Sequence, residues 1–533
     1  MVAERHALSA TRLESVVAAP TRVRLAELVA TISLGTDLGL GQPMEHVIRQ
    51  TIIALRLADL LDLSSADREV VYYSGLLAWV GCHTDAYEQS KWFGDDLALK
   101  RDAMFADWSP VGAARFLAGH VGAGAPPMKR VRAGLAFPGG GRRWFSSMLE
   151  NHWRTADLFA DRLGLGEDVR GSLAQSYEWW DGRGLAGLAG EEIRLTSRVV
   201  YLADVVAAFE RFGGPGAALA CAQQRSGSQL DPALVELFCA HAPELLTGID
   251  GESHWSEIIA AEPGLERIVD EDGLDRVLAA MGDFADLKSP YFIGHAAEVA
   301  DLAGRAAAAM GLAAENVRTI RWAGLVHDIG RLGVSNAIWD KAGPLSLTEM
   351  EPVRMHPYLT ERMLTSSPAL SEIAAIAGLH HERLDGSGYP RGLSGTSIPT
   401  SGRVLAVADR YSTLTAGRPH RPPYAPEAAA ALLRDDVQAG RLDGPAVEAV
   451  LTSAGHRARR RAAWPAGLTN REIELLRLMT LGLTNRAIAE RLHIAPKTVG
   501  AHVEHIYAKT GATNRATAGL FAMQHGLMSD FER

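Results

Sequence analysis

Apolar positions recur every three to four residues along most of this chain, which is the period of an amphipathic helix. The stretch "HVIRQTIIALRLADLL" from His46 and the stretch "HAAEVADLAGRAAAAMGL" from His295 both follow it. Strict alternation of β-branched and polar residues is scarce. The pattern predicts an all-α fold. It also predicts local punctuation, with "TIRWAGLVHDIG" reading as a buried helix that ends at Gly330. Thr469, with Glu472 three positions on, has the form of a helix-capping box. The "AFPGGGRRW" stretch, with Pro138 and three glycines, reads as a loop.

The helical pattern occurs twice. From His46, thirty-two residues lead to Ala78-Trp79; from His295, thirty-two lead to His327-Asp328. His152 stands twenty-five residues before Tyr177, and His356 twenty-five before His381. Asp204 then falls opposite Asp409, in "SRVVYLADVV" against "GRVLAVADRY". Several equal spacings predict tandem helical units. The first carries an insertion of about 45 residues between Cys82 and His152.

At 533 residues the chain is long enough for several domains. A net charge of −9 argues against a wholly DNA-binding surface but leaves room for a local module. The three cysteines have no metal-type pairing, which fits a reducing cytosol. No run approaches the ~20 apolar residues needed to cross a bilayer, and the first residues lack a secretory core. The expectation is a cytoplasmic protein with no membrane partner.

The second unit gathers His295, His327, Asp328, His356, His380, His381 and Asp409. Imidazole and carboxylate together suit iron, manganese, zinc or nickel. Seven such groups exceed one tetrahedral ion and fit two ions sharing a carboxylate, for which Asp328 is the natural bridge. A two-metal centre activates water and clamps a phosphoryl group, so the chemistry points to phosphoester hydrolysis. The first unit lacks both the His-Asp and the His-His pair.

"GLVHDIGRLGV", "MHP", "HHERLDGSGYPRGL" and "RVLAVADRYSTLT", in that order, resemble the HD-GYP family of phosphodiesterases across residues 276–455. The resemblance implies a helical fold, a pair of divalent ions (iron or manganese) and a cyclic dinucleotide substrate, cyclic di-GMP first among them. It implies that the seven residues above hold metal. It gives Asp328 and Arg331 catalytic roles and brings Arg331, Arg418, Arg421 and Tyr389 to substrate. Arg331 stands where the family has Lys. Tyr291 stands where members with a third metal have Glu, so two ions are expected. Alternatives are a sensor without turnover, or a hydrolase acting on another phosphoester.

From Leu468 the chain resembles the LuxR/FixJ-type helix-turn-helix domain. Ile488, Ala489, Leu492, Val499, Val503 and Ile506 would be its core. Thr484, Lys497, Thr498 and Lys509 would touch DNA, with a homodimer spanning a pseudo-palindrome. Glu504 on the recognition helix would repel phosphate. The "RARRR" run, Arg457 to Arg461, would add counterion-release affinity or serve as a solvated linker. The expected organisation is a degenerate unit 1–248, a linker 249–275, a catalytic unit 276–455, a linker 456–465 and a DNA-binding domain 466–533.

Overall fold

The computed structural model describes residues 23–528 apart from 125, 264–266 and 456–463. The Arg457–Arg461 run therefore lies outside the described residues. The first half is built from α1 (Leu25–Gly39), α2 (His46–Leu60), α3 (Ser65–Leu77), α4 (Pro127–Arg162) and α5 (Leu195–Arg225), with shorter helices between. The second half contains α6 (Glu271–Asp286), α7 (His295–Ala309), α8 (Ala314–Val326), α9 (Leu347–Leu364), α10 (Ser371–Ala377), α11 (Thr400–Thr415) and α12 (Gly444–Ser453). The C-terminal domain comprises α13 (Asn470–Thr480), α14 (Asn485–Leu492), α15 (Pro496–Thr510) and α16 (Arg515–Gln524).

Three local expectations need correction. The "AFPGGGRRW" segment is not a loop, because α4 runs through it as a 36-residue helix. Good helix formers on both sides propagate the helix, and propagation outweighs weak local propensity. The helix expected to end at Gly330 ends at Val326 instead, and a 3-10 turn, Ile329–Gly333, carries the chain on. Residues 249–275 are not a free tether either. They form the helix Trp255–Ala260 and a strand, Ile268–Val269, paired antiparallel with Val23–Arg24. Burying Ile249 and Ile258 is what holds this segment down.

One continuous apolar core runs through both halves, and a second, separate core lies in the C-terminal domain. A buried polar clamp reinforces the junction of the halves. Asp96 accepts from Ser335 Oγ and Asn336 N, each at 2.8 Å, and lies 3.5 Å from the fully buried Lys288 ammonium. In the C-terminal domain Ile488, Ala489, Val499 and Ile506 are buried, while Leu492 and Val503 are half-buried against that core. The capping box at Thr469 forms as its sequence predicts.

The two halves share contacts between residues that correspond in sequence order. Asp37 accepts from the N–H groups of His46 and Val47, and Asp286 from that of Ala296. Arg198 bridges Ile193 O and Asp231, while Arg403 bridges Ile398 O and Asp443. A Cβ on Gly81 would stand 2.0 Å from His152 O, and a Cβ on Gly330 would stand 2.0 Å from His356 O. Only glycine allows so close a backbone approach.

Candidate metal centre

Separate elements deliver the seven imidazole and carboxylate groups. His295 is the first residue of α7, His327 and Asp328 follow α8, His356 lies inside α9, His380 and His381 follow α10, and Asp409 is on α11. The close approach at Gly330 seats the 3-10 turn against α9 and brings Asp328 beneath His356. Thr360 secures the contact, accepting from Gly330 N at 3.0 Å and donating to His327 O at 2.8 Å.

Asp328 sits at the middle. Its Oδ2 lies 2.8 Å from His327 Nε2 and 3.3 Å from His295 Nε2; its Oδ1 lies 3.2 Å from His356 Nε2 and 3.4 Å from His380 Nε2. None of these four imidazole contacts has the alignment of a hydrogen bond. Asp409 Oδ1 is 3.1 Å from His295 Nε2, and its Oδ2 is 3.7 Å from His381 Nδ1. The donor atoms fall into two groups: His295, His327, Asp328 and Asp409, and then His356, His380 and His381.

The histidine tautomers are set from behind. Nδ1 of His327, His356 and His380 lies 2.8, 2.5 and 2.7 Å from the carbonyls of Gly324, Val353 and Ala377. A carbonyl only accepts, so each Nδ1 carries a proton, and in the neutral ring each Nε2 presents a lone pair to the centre. His295 is oriented through Ser412. Ser412 Oγ donates to Glu298 at 2.8 Å and can accept from His295 Nδ1 at 3.0 Å. Nε2 of His356 and of His380 then face one another at 2.9 Å. Two lone pairs that close repel unless a proton or a cation lies between them. At about 2.1 Å from each nitrogen, an ion would hold them as neighbouring ligands. The buried carboxylate ringed by four imidazoles and the converging lone pairs both fit divalent metal.

Electrostatics agree. Burial opposes ionisation of Asp328, but Arg331 and His327 outweigh it and hold the carboxyl well below its ordinary value. Asp409 is likewise held low, chiefly by His295 and His327 against burial. Burial disfavours a charge on His327, yet Asp328 and Asp409 raise it to about 10. Burial lowers His356 to about 4, which keeps it neutral. Positive charge is thus drawn to one place between the two carboxylates.

Around this centre Arg331 Nη2 pairs with Asp328 at 2.6 Å, under the rings of Phe292 and Trp339, while its Nε and Nη1 are buried without partners. Arg418 packs over Phe292 and donates to Tyr291 O at 2.9 Å; burial, with Arg331 nearby, lowers it to about 10. Tyr389 lies over His381 with ring centroids 4.7 Å apart, at the more exposed edge. Glu382 holds the glycine loop by accepting from Arg391 N and Leu393 N, each at 2.8 Å. The structure does not bring Arg421 into this group. Its guanidinium donates to backbone carbonyls of Thr413, Leu414 and Ala416. Tyr291 turns away towards Tyr87. Sequence reasoning missed Ser412, Glu298 and Thr360, because a lone hydroxyl or Glu on a helix carries no local signal.

In the C-terminal domain Lys497 and Thr498 are exposed at the start of α15. Thr484 caps α14 and lines a cavity of about 380 Å³ shared with Tyr87, Glu88 and Lys91. Lys509 is committed to Glu472 at 2.7 Å and to Gly467 O.

Residues 279–445 match the family described as HD domain, and residues 466–522 match bacterial regulatory proteins of the luxR family. The chain is 30% identical over 418 residues to 3'3'-cGAMP-specific phosphodiesterase 3 of Vibrio cholerae, covering 78% of this chain and 91% of that protein. The chain belongs to the HD-domain phosphodiesterase family. This phosphodiesterase is also similar to a crystal structure of a cyclic GMP-AMP specific phosphodiesterase of V. cholerae, with a TM-score of 0.58 and 26% identity over 81% of this chain and 98% of that one. The cyclic di-GMP phosphodiesterase of Thermotoga maritima is 39% identical over 155 residues, 29% of this chain and 42% of that protein. Family membership makes this chain a metal-dependent phosphodiesterase carrying a luxR-family helix-turn-helix domain. Among the described residues no helix is long and apolar enough to cross a membrane.

Proposed function

We propose that the phosphodiesterase hydrolyses a cyclic dinucleotide at a two-metal centre in its second half and couples nucleotide occupancy to DNA binding. The observation that carries this reading is the convergence of seven donor atoms in two groups about Asp328. His295, His327, Asp328 and Asp409 would hold one ion, and His356, His380 and His381 the other, with Asp328 between them. Two bound divalent ions, iron or manganese, would supply an activated water and charge stabilisation for phosphoryl transfer. The chain's own part is positioning. Arg331 and Arg418 present cations to phosphate across Phe292, and Tyr389 closes the mouth with an aromatic face. Arg421 braces the loop that carries Arg418.

The first half reads as a decayed twin, and the contacts repeated between corresponding residues support that. Where Asp409 faces His295, Asp204 instead accepts from the Trp79 indole at 3.0 Å. Trp79 occupies the sequence position opposite Asp328.

For substrate, 3'3'-cGAMP is favoured over cyclic di-GMP. The relative named for 3'3'-cGAMP aligns across both halves, whereas the named cyclic di-GMP enzyme aligns with 29% of the chain. Cyclic di-GMP is the second reading. Coupling to DNA rests on the docking of α16. Gly294 N donates to Met523 Sδ at 2.9 Å, and Gly519 packs against Ile293. This 290–294 segment leads directly into His295, and its Tyr291 carbonyl holds Arg418. Substrate that draws Arg418 to phosphate would loosen that seat. Once undocked, dimers would place two recognition helices on a pseudo-palindrome. The test is turnover of 3'3'-cGAMP, cyclic di-GMP and cyclic di-AMP by protein loaded with manganese or ferrous iron. Linear product from 3'3'-cGAMP first supports the reading. No product at full metal loading leaves a nucleotide sensor.

A further inference from the structure

The first half contains a chemical group that phosphoester hydrolysis does not use. Cys82 Sγ lies 3.6 Å from His152 Nδ1, and His152 Nε2 lies 3.1 Å from Asp85 Oδ2. One ring nitrogen thus faces sulfur and the other a carboxylate, the order in which an imidazolium stabilises a thiolate and is itself held by an acid. Tyr177 adds its hydroxyl 3.5 Å from the sulfur. The set spans three separate elements: the turn Val80–His83 with the residue pair after it, α4, and the loop following Ala174. The close approach of Gly81 to His152 O fixes the turn against α4. We propose that Cys82, His152 and Asp85 form a reactive-thiol site whose substrate is a small hydroperoxide.

The reaction balances within the site. Thiolate sulfur attacks one peroxide oxygen and the O–O bond breaks. Sulfur is oxidised to sulfenic acid, peroxide is reduced, and the leaving oxygen takes its proton from the His152 imidazolium. Charge placement supports this. Burial alone would raise the Cys82 thiol, but His152, Tyr177 and Lys100 outweigh it and bring it below its ordinary value. Burial opposes a charged His152, yet Cys82 and Asp85 raise it to about 9. The other charged or titratable groups facing the set are His83, Glu88, Lys100 and Asp204. At 7% exposure Cys82 admits only a small oxidant. Asp85 also accepts from Asn514 at 3.3 Å, so the site lies directly beneath the docked DNA-binding domain.

The test uses the full chain. Protein is exposed to hydrogen peroxide for timed intervals, quenched with catalase, unfolded in N-ethylmaleimide, and each cysteine is followed by mass spectrometry. Cys221, whose thiol burial pushes up, and the half-buried Cys239 are internal controls. An ordinary thiol loses about tenfold in rate per pH unit below its pKa, as its thiolate fraction falls. Cys82 should be consumed at least about tenfold faster than Cys239 at pH 7, with a shallower rise in rate from pH 6 to 8 than Cys239 shows. His152→Gln should restore the ordinary pH slope. If that variant does not fold, the wild-type profile decides alone. Cys82 persisting while Cys239 is oxidised, or a wild-type slope near tenfold per unit, overturns the proposal.

Discussion

The paired glycines offer a matched experiment. Replacing Gly330 by Ala would place a Cβ 2.0 Å from His356 O and 2.7 Å from Thr360 N. An ordinary contact needs about 3.4 Å or more, so α9 and the turn must part by over 1 Å. Overpacking of this kind costs about 1–3 kcal/mol, and a 1 Å displacement at a reacting centre costs about 100-fold in rate. Gly81→Ala meets the same 2.0 Å obstacle at His152 O in the first half. Both variants should therefore lose similar stability in urea titrations. Only Gly330→Ala should lose metal and about 100-fold in kcat per folded molecule, because only there does the displaced helix carry His356. Equal loss of turnover in the two variants would refute the assignment of chemistry to one half. So would a Gly330→Ala protein that keeps its metal and its rate.

Other outcomes follow from single contacts. Burial raises Asp204 from 3.8 to about 7, against the Trp79 hydrogen bond. The unfolded chain ionises first between those values, so this group lowers stability as pH rises from about 4 to 7, by up to about 4 kcal/mol at 1.36 kcal/mol per unit. Asp204→Asn should thus be more stable than wild type at pH 8 and nearly equal at pH 4; an identical gap at both would contradict the argument. Ile293→Asp puts a charge against Gly519 and should raise affinity for duplex DNA by about fivefold or more, the scale of a modest coupling energy. Unchanged affinity would mean that docking does not restrain DNA binding. Lys497→Ala should reduce the salt slope of DNA binding by about one. Lys509→Ala should chiefly lower the melting temperature of the C-terminal domain by removing its bond to Glu472, at a cost of about 1 kcal/mol or less.

The helical character and the seven converging donors were legible because their signals are local or equally spaced. His327-Asp328 and His380-His381 are adjacent pairs, and His295, His356 and Asp409 keep register with the first half. What surrounds them was not legible. The carbonyls that fix the imidazole tautomers belong to Gly324, Val353 and Ala377, and a backbone acceptor leaves no trace in composition. The Glu298–Ser412–His295 relay depends on α7 meeting α11, a tertiary fact. Arg418 and Arg421 look alike in sequence, yet a tight turn gives one guanidinium to the site and the other to backbone carbonyls. Pro138 and its glycines read as a break because local propensity cannot see a helix propagating in from both sides. The seat of α16 on Ile293 and Gly294 joins residues over two hundred positions apart, and nothing in either stretch announces the other.

The most direct test of the central claim is metal stoichiometry in the purified chain, measured by elemental mass spectrometry beside a circular dichroism spectrum. Wild-type protein reconstituted with manganese or ferrous iron should hold close to two ions per chain, and Asp328→Ala should hold close to none while keeping its helical spectrum. Two ions retained by a folded Asp328→Ala variant, or none in the wild type, would contradict the account.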